Sequence, residues 1–187
     1  MAYININLLD LYGSNLVLGS RAGANILQML RNLDLQQNSQ LMVSFKGIQC
    51  IDACAVRESL ACLVKMNLGN LRLVVSDVEN IDVLDNLTLG FNAKNLPLVT
   101  IDSSNNVSIY TNGLSVPKKI LEYIYLHESI TTSKLVEQFD ISSPNASSKL
   151  KKLQNIGLLI SEKTSAESGG LEYIFRPFCY GCCVNIY

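Results

Sequence analysis

Apolar segments of strand length alternate with amphipathic segments of helix length through the first part of the chain, and this alternation constrains the fold most strongly. Strands are predicted at 15–20, 40–48, 71–78, 96–102 and 107–111, helices at 21–33, 52–66 and 81–95, and a hairpin turn at 103–106. Because helices of this length can cross a sheet between successive strands, the order favours a sheet covered by helices. The sequence therefore predicts an α/β domain over residues 1–112.

The segment LMVSFKGIQCIDACAVRESLACLV, residues 41–64, contains the most informative step of this domain. Asp52 is predicted to cap the helix at 52–66. The aliphatic–Asp step Ile51–Asp52, followed by the small residues 53–55, resembles the STAS superfamily and especially the STAS-like domains of bacterial regulators. The resemblance covers roughly residues 13–102 and implies a module for protein interaction or dimerisation.

Residues 53–55 also depart from the STAS pattern. Anti-sigma-factor antagonists of that family carry a phosphorylatable Ser or Thr directly after the Asp, whereas this chain has Ala53, Cys54 and Ala55 and no hydroxyl until Ser59. A thiol is no substrate for an ordinary Ser/Thr kinase. The resemblance therefore implies a domain that lacks the phosphoryl switch of its relatives.

Three short helices and two strands are predicted in the second part of the chain. The helices span 116–130, with Pro117 as a first helical residue, 131–139 and 144–156, and the strands follow as LLISEKT and LEYIFRP, joined by SAESGG. Thr131 or Thr132 can cap the second helix, and Ser142 or Ser143 the third. In the third helix Ala146, Leu150 and Leu153 share one face, and Gly157 ends it.

The segment TTSKLVEQFDISSPNASSKLKKLQNIGLLISEK, residues 131–163, resembles the winged helix-turn-helix of bacterial repressors such as the MarR family. A Ser-rich turn precedes a helix that ends in Leu, three residues and Gly-Leu-Leu. The resemblance covers about residues 117–177. It implies that residues 113–187 form a winged helix of three helices and a β-hairpin, with 144–156 as the recognition helix.

A recognition helix needs short polar side chains near its start and cations that meet phosphates. Asn145 is the predicted base reader because an amide can bond an adenine edge bidentately. The predicted DNA-binding set is Thr132, Ser142, Ser143, Asn145, Ser147, Ser148, Lys149, Lys151, Lys152 and Lys163. Each member has a simpler alternative, since a serine can serve only as a cap and lysines on a helix face are often only solvated.

The charge balance leaves two functions open. The net charge is −1, with 7 Lys and Arg against 9 Asp and Glu up to Ser115, and 8 against 7 beyond it. This balance argues against tight non-specific DNA binding. The first hypothesis is a transcriptional regulator that binds double-stranded DNA as a homodimer, with the STAS-like domain dimerising or receiving a signal from a regulatory protein. The alternative is a non-enzymatic adaptor in which both domains dock partner proteins.

The remaining patterns argue against an enzyme, a cofactor or a membrane protein. We find no P-loop, no dinucleotide fingerprint and no H-E-x-x-H motif, and a single histidine, His127. Asp77, Glu79, Asp82 and Asp85 favour a solvated loop and helix start over a metal site. The first residues do not form a signal peptide, and no apolar stretch reaches the roughly 20 residues of a membrane helix. A cytoplasmic protein is therefore expected.

The six cysteines are expected to stay reduced in that compartment. Cys50, Cys54 and Cys62 are predicted as small apolar residues of the α/β core. The cluster Cys179, Cys182 and Cys183 has three possible roles: packing in an apolar tail that forms an interface strand, a redox pair, or zinc binding. Only one tight cluster is present, which is against zinc.

Overall fold

The computed structural model describes residues 3–33, 35, 39–111, 113–165, 171–179 and 184–187. The helices are α1 (Leu8–Tyr12), α2 (Gly19–Arg31), α3 (Ala53–Glu58), α4 (Leu60–Met66), α5 (Ile81–Asn92), α6 (Lys118–Tyr125), α7 (Thr132–Phe139) and α8 (Ser143–Asn155). The strands are β1 (Tyr3–Asn7), β2 (Leu16–Val17), β3 (Ser39–Ser44), β4 (Cys50–Ile51), β5 (Leu71–Ser76), β6 (Leu98–Ile101), β7 (Val107–Tyr110), β8 (Ile130–Thr131), β9 (Ile160–Ser165), β10 (Leu171–Arg176) and β11 (Val184–Ile186). Among these, no helix is long and apolar enough to cross a membrane.

A mostly parallel six-stranded sheet lies at the centre of the fold, in the order β1-β3-β5-β6-β7-β11. The first four strands are parallel, β7 runs antiparallel to β6 through the predicted turn at 103–106, and β11 pairs in parallel with β7. The prediction of a mixed α/β fold is confirmed. The strand predicted at 15–20 is reduced to Leu16–Val17, which pairs with β4 outside the central sheet.

Helices α2 to α5 enclose one core against the sheet, built on side chains such as Leu41, Val43 and Val75. Asp52 fixes the start of α3 as predicted, because its Oδ1 accepts a hydrogen bond from Ala55 N at 2.7 Å. Its Oδ2 accepts a second one from Gly19 N at 2.6 Å, so this carboxylate also holds the start of α2. The helix predicted at 52–66 is wrong in one respect, since it breaks at Ser59, whose backbone leaves the helical region.

The C-terminal part of the chain covers the opposite face of the sheet. Val74, Val99 and Val107 share a second core with side chains of the C-terminal helices, among them Leu121 and Leu150. Side chains on a strand point alternately to the two faces, so β5 contributes Leu73 and Val75 to one core and Val74 to the other. Although the chain divides into two sequence patterns, the two parts share buried surface, and the last strand returns to the central sheet.

Arg72 on β5 fastens the C-terminal part to the sheet. Its side chain is buried and donates hydrogen bonds to the carbonyl oxygens of Arg176, at 2.9 Å, and of Pro177. Burial lowers the pKa of this guanidinium to about 10. The end of β10 is therefore held against the middle of the sheet.

Two further boundaries differ from the predictions. The helix predicted at 116–130 runs only from Lys118 to Tyr125, and Pro117 occupies the N-cap position and not the first helical position predicted for it. Ile130 and Thr131, predicted within helices, form β8, which pairs with β10. The resulting three-stranded sheet has the order β8-β10-β9. β8 is missed because two residues cannot show a strand period; their partner strand decides their conformation.

The cysteine predictions are partly wrong. Cys54 is exposed in the first turn of α3, whereas Cys50 and Cys62 are half-buried, and all three are free thiols. Cys179 is disulfide-bonded, which contradicts the expectation that every thiol is reduced. Cys182 and Cys183 lie outside the described residues. The predicted interface strand of the tail has a counterpart in β11, which pairs with β7.

Candidate nucleic-acid interface

Helix α8 is held at its inner face and at its C-terminal end. Ala146, Leu150 and Leu153 are fully buried in the second core, as their spacing predicts. Ser142 occupies the N-cap position, but within the described residues its side chain makes no capping hydrogen bond. Pro144 lies in the first turn, where a missing N–H costs nothing.

The C-terminal end of α8 is fastened by two contacts. Gly157 ends the helix in the left-handed conformation, at φ +83°, and Leu158 N donates back to Leu153 O at 3.0 Å. A Cβ on Gly157 would lie 3.3 Å from Val64 Cγ1, so this turn packs directly on α4. Gln154 Nε2 also donates to Ser161 Oγ of β9 at 2.9 Å. The helix is thus fixed to both the central sheet unit and the hairpin.

Helix α7, which precedes α8, has a defined start and a defined end. Thr131 caps α7 through its Oγ1, which accepts from Lys134 N at 3.3 Å. Asp140 ends α7 in the left-handed conformation, at φ 48°, which a short polar residue tolerates better than a bulky one. Because Thr131 is the cap, Thr132, the other predicted cap, is the first helical residue, and it is half-buried.

The exposed side of α8 forms a shallow groove of about 610 Å3. It brings together four members of the predicted set with three residues outside it, namely Pro144, Ser147, Ser148, Lys151, Lys152, Asn155 and Ile156. Of the three residues outside the predicted set, Asn155 is the polar side chain with the helical spacing that places it on the same face as Ser148 and Lys151. The groove combines amide, hydroxyl and ammonium groups on one continuous surface.

The rest of the predicted set lies around this groove. Ser142, Ser143 and Asn145 are exposed at the start of α8 and do not line the groove. Lys149 is half-buried on the flank of the helix. No Asp or Glu occurs between Ser143 and Asn155, so the three lysines of the helix have no acidic neighbour within it.

Strands β9 and β10 form the predicted hairpin beside this helix. Lys163 is exposed, and its Nζ lies 5.6 Å from the ring centre of Tyr173 on the paired strand. This cation–π contact orients the ammonium group. Leu171 and Tyr173 are also exposed, at 76% and 45%. The hairpin tip at 166–170 lies outside the described residues.

Acidic residues meet elsewhere, beyond the ends of β5 and β6. Asp77, Glu79 and Asp102 line a cavity of about 360 Å3, whereas Asp82 and Asp85 lie exposed on α5. Hydrogen bonds from the Ser44 and Ser76 hydroxyls, at 2.6 and 2.9 Å, hold the pKa of Asp77 below its ordinary value. Within the part of the chain that the structure describes, no group of His, Cys, Asp and Glu side chains has the arrangement of a metal site.

Comparison with known proteins assigns the chain to no group. No family model matches it, and neither a curated protein nor a solved structure shows significant similarity.

Proposed function

We propose that this chain is a DNA-binding transcriptional regulator in which α6 to α8 and the β9–β10 hairpin form a winged helix. In this arrangement α8 is the recognition helix and enters the major groove, while the hairpin lies along the backbone beside it. The N-terminal unit is a STAS-like module that dimerises the protein or receives a signal. DNA binding, the winged-helix assignment and the STAS-like assignment are separate claims, and each can fail without the others.

The observation that carries the proposal is the exposed face of α8. One side of this helix is fully buried, and the other presents amides, hydroxyls and the cations of Lys151 and Lys152 with no carboxylate among them. Amides and hydroxyls can bond base edges and phosphates, and ammonium groups release condensed counterions when they meet phosphates. If the outer face of α8 served only to contact water, acidic residues would be as acceptable there as basic ones. Acids slightly outnumber bases in the whole chain, so their absence from this helix favours a role in binding an anion.

The N-terminal assignment is supported by the local structure around Asp52. The carboxylate caps α3 and accepts a hydrogen bond from the start of α2, so it fixes the first turn of α3, where Ala53 is half-buried and Cys54 is exposed. With no hydroxyl at residues 53–55, signal input there would come from a binding partner and not from phosphorylation of those residues.

The test is a double substitution on the groove, Lys151→Gln and Lys152→Gln. If both lysines contact phosphates, binding weakens on every DNA sequence, and the slope of log affinity against log salt becomes shallower by about two units, one for each contact. The slope is measured by fluorescence anisotropy with labelled duplexes over a salt series. An unchanged slope would contradict the proposed placement of α8 on DNA.

The matched control is Lys46→Gln with Lys119→Gln. Both side chains are exposed and lie outside α8 and the hairpin, so the pair removes the same net charge from a different surface. The control protein should keep a wild-type slope. If it loses affinity equally, the effect comes from overall charge, and the groove has no special role.

One observation favours the adaptor as a second candidate. The exposed Leu171 and Tyr173 give the hairpin an apolar surface, which suits a protein partner better than a phosphate backbone. Under this hypothesis the Lys151/Lys152 variant would leave partner capture intact, whereas Leu171→Ser would abolish it. The adaptor would be favoured if Leu171→Ser abolishes partner capture and the protein either binds no DNA or binds it without salt dependence.

A further inference from the structure

The two edges of the central sheet are protected very differently. An edge strand offers unpaired N–H and C=O groups to any other strand, and proteins usually blunt such edges with short strands, charges, prolines or a covering element. β11 follows this rule: it has three residues, α6 packs against it, and Lys118 Nζ donates to Ile186 O at 3.0 Å. That edge is closed to further pairing.

In the described part of the chain, β1, at the other edge, has none of these protections. It is five residues long, Tyr-Ile-Asn-Ile-Asn, with no charge and no proline. Among the described residues it pairs with β3 on one side, and no strand pairs with its outer side. The outward N–H and C=O groups of this uncharged edge meet water or another extended backbone, so the edge is a template for a further strand.

The side chains of β1 alternate between two environments. Ile4 and Ile6 are half-buried and pack against the first core, so their outer sides remain uncovered. Tyr3 and Asn5 point to the other face and are exposed, Tyr3 at 69%. A partner strand must therefore present apolar residues on one face and polar or aromatic ones on the other.

We propose that this partner is β1 of a second copy of the chain, paired antiparallel about a two-fold axis through Asn5. Centring on Asn5 pairs Tyr3 with Asn7, Ile4 with Ile6 and Asn5 with itself, and it is the one register in which all five residues are paired. Ile4 then packs on Ile6 of the second copy, which extends both first cores, and an isologous contact of this kind closes as a dimer.

The β1 contact would be the interface of the homodimer that the proposed function includes. It rests on the homodimer alone and not on DNA binding. A two-fold dimer would present two copies of α8, as two half-sites require. Dimerisation is measured without DNA, so failure of the interface and failure of DNA binding are separate results.

The experiment uses complementary charges on the axis. Asn5→Asp sets two carboxylates opposite each other in the dimer, and Asn5→Lys sets two ammonium groups there. Because Asn5 is exposed, neither change disturbs the core of the protomer. Like charges at this spacing should raise the dimer dissociation constant by about fivefold or more, and an equimolar mixture of the two variants should restore a heterodimer.

Masses are followed by analytical ultracentrifugation over a dilution series, with Asn185→Asp as the control. Asn185 is also exposed and also lies on an edge strand, but at the closed edge of the same sheet. We expect a wild-type dimer, weaker dimers for both Asn5 variants, recovery of dimer on mixing the two variants, and no effect of the control. A monomeric wild type, an unaffected Asn5→Asp dimer, or equal weakening by Asn185→Asp would each overturn the proposal.

Discussion

Replacing Gly23 by alanine tests how closely α2 and α3 pack over the sheet. A Cβ at this position would lie 2.5 Å from the carbonyl oxygen of Ala55, 2.9 Å from its Cα and 3.0 Å from Glu58 Cβ. The first two are backbone atoms and cannot rotate away, and Gly23 itself is buried. The helices would have to separate by about 1 Å to restore ordinary contact distances.

The expected magnitude is the difference of two opposing effects. Alanine in a helix interior is favoured over glycine by about 1 kcal/mol. Overpacking typically costs about 1–3 kcal/mol, and a clash with backbone belongs at the upper end of that range. We therefore expect Gly23→Ala to lower the free energy of unfolding by about 2 kcal/mol, and the melting temperature of a chain of this length by about 4–8 °C.

The neighbouring Ala24 supplies the control, because it is exposed on the same helix. Ala24→Gly should lower the free energy of unfolding by about 1 kcal/mol through helix propensity alone. Helix propensity alone predicts that Gly23→Ala raises the free energy of unfolding and that Ala24→Gly lowers it. The helix packing predicts that both substitutions lower it, and that Gly23→Ala lowers it more. Urea and thermal unfolding followed by circular dichroism would decide, and a Gly23→Ala protein as stable as wild type would refute the described helix contact.

Two further predictions concern single polar side chains. Asn145→Ala should relax the base preference at one position of a selected binding site while leaving the salt slope unchanged; equal loss on every sequence, measured by anisotropy with single-base variants, would remove Asn145 as a base reader. Asp77→Asn should lower the melting temperature at neutral pH. The Ser44 and Ser76 hydroxyls depress the pKa of folded Asp77, so its stabilisation is present above the unfolded pKa and is lost as pH falls through the folded one. The difference between the two proteins should therefore vanish in acid, and a difference that persists there would show that the carboxylate charge is not its cause.

Periodic features of the fold could be predicted from the sequence, because burial imposes its spacing on the chain. Leu150 and Leu153 follow a helical period and are buried as predicted, and α8 begins and ends within one residue of the predicted 144–156. The position of Asp52 directly before a helix predicts a cap, and the structure confirms it. In each case a local pattern contains the reason for the structure.

The features that the sequence did not predict depend on contacts between distant segments. Ile130–Thr131 becomes a strand only because β10 lies beside it. Arg72 sits in a run of apolar strand residues, and nothing near it in the sequence indicates that its partners are the carbonyls of residues 176 and 177. β1 is an exception among the elements missing from the prediction, because the alternation of Ile and Asn in Tyr3–Asn7 is itself the period of a strand.

The candidate site was partly predictable, because helical spacing indicates which residues share a face. Helical spacing placed Ser148, Lys151 and Lys152 on one face, and the structure brings them together in the groove. Lys149 and Thr132 were assigned by residue type and neighbourhood, and both are half-buried because the angular position of a side chain on its helix, and not its chemistry, decides its exposure.

The measurement that tests the central claim most directly is binding of the wild-type protein to labelled duplex DNA, including the region upstream of its own coding sequence, at low and moderate salt. The account predicts saturable binding that weakens as salt rises and is tighter for one fragment than for scrambled duplexes of the same length. A folded protein that binds no duplex at low salt, or binds all of them equally with no salt dependence, would contradict it.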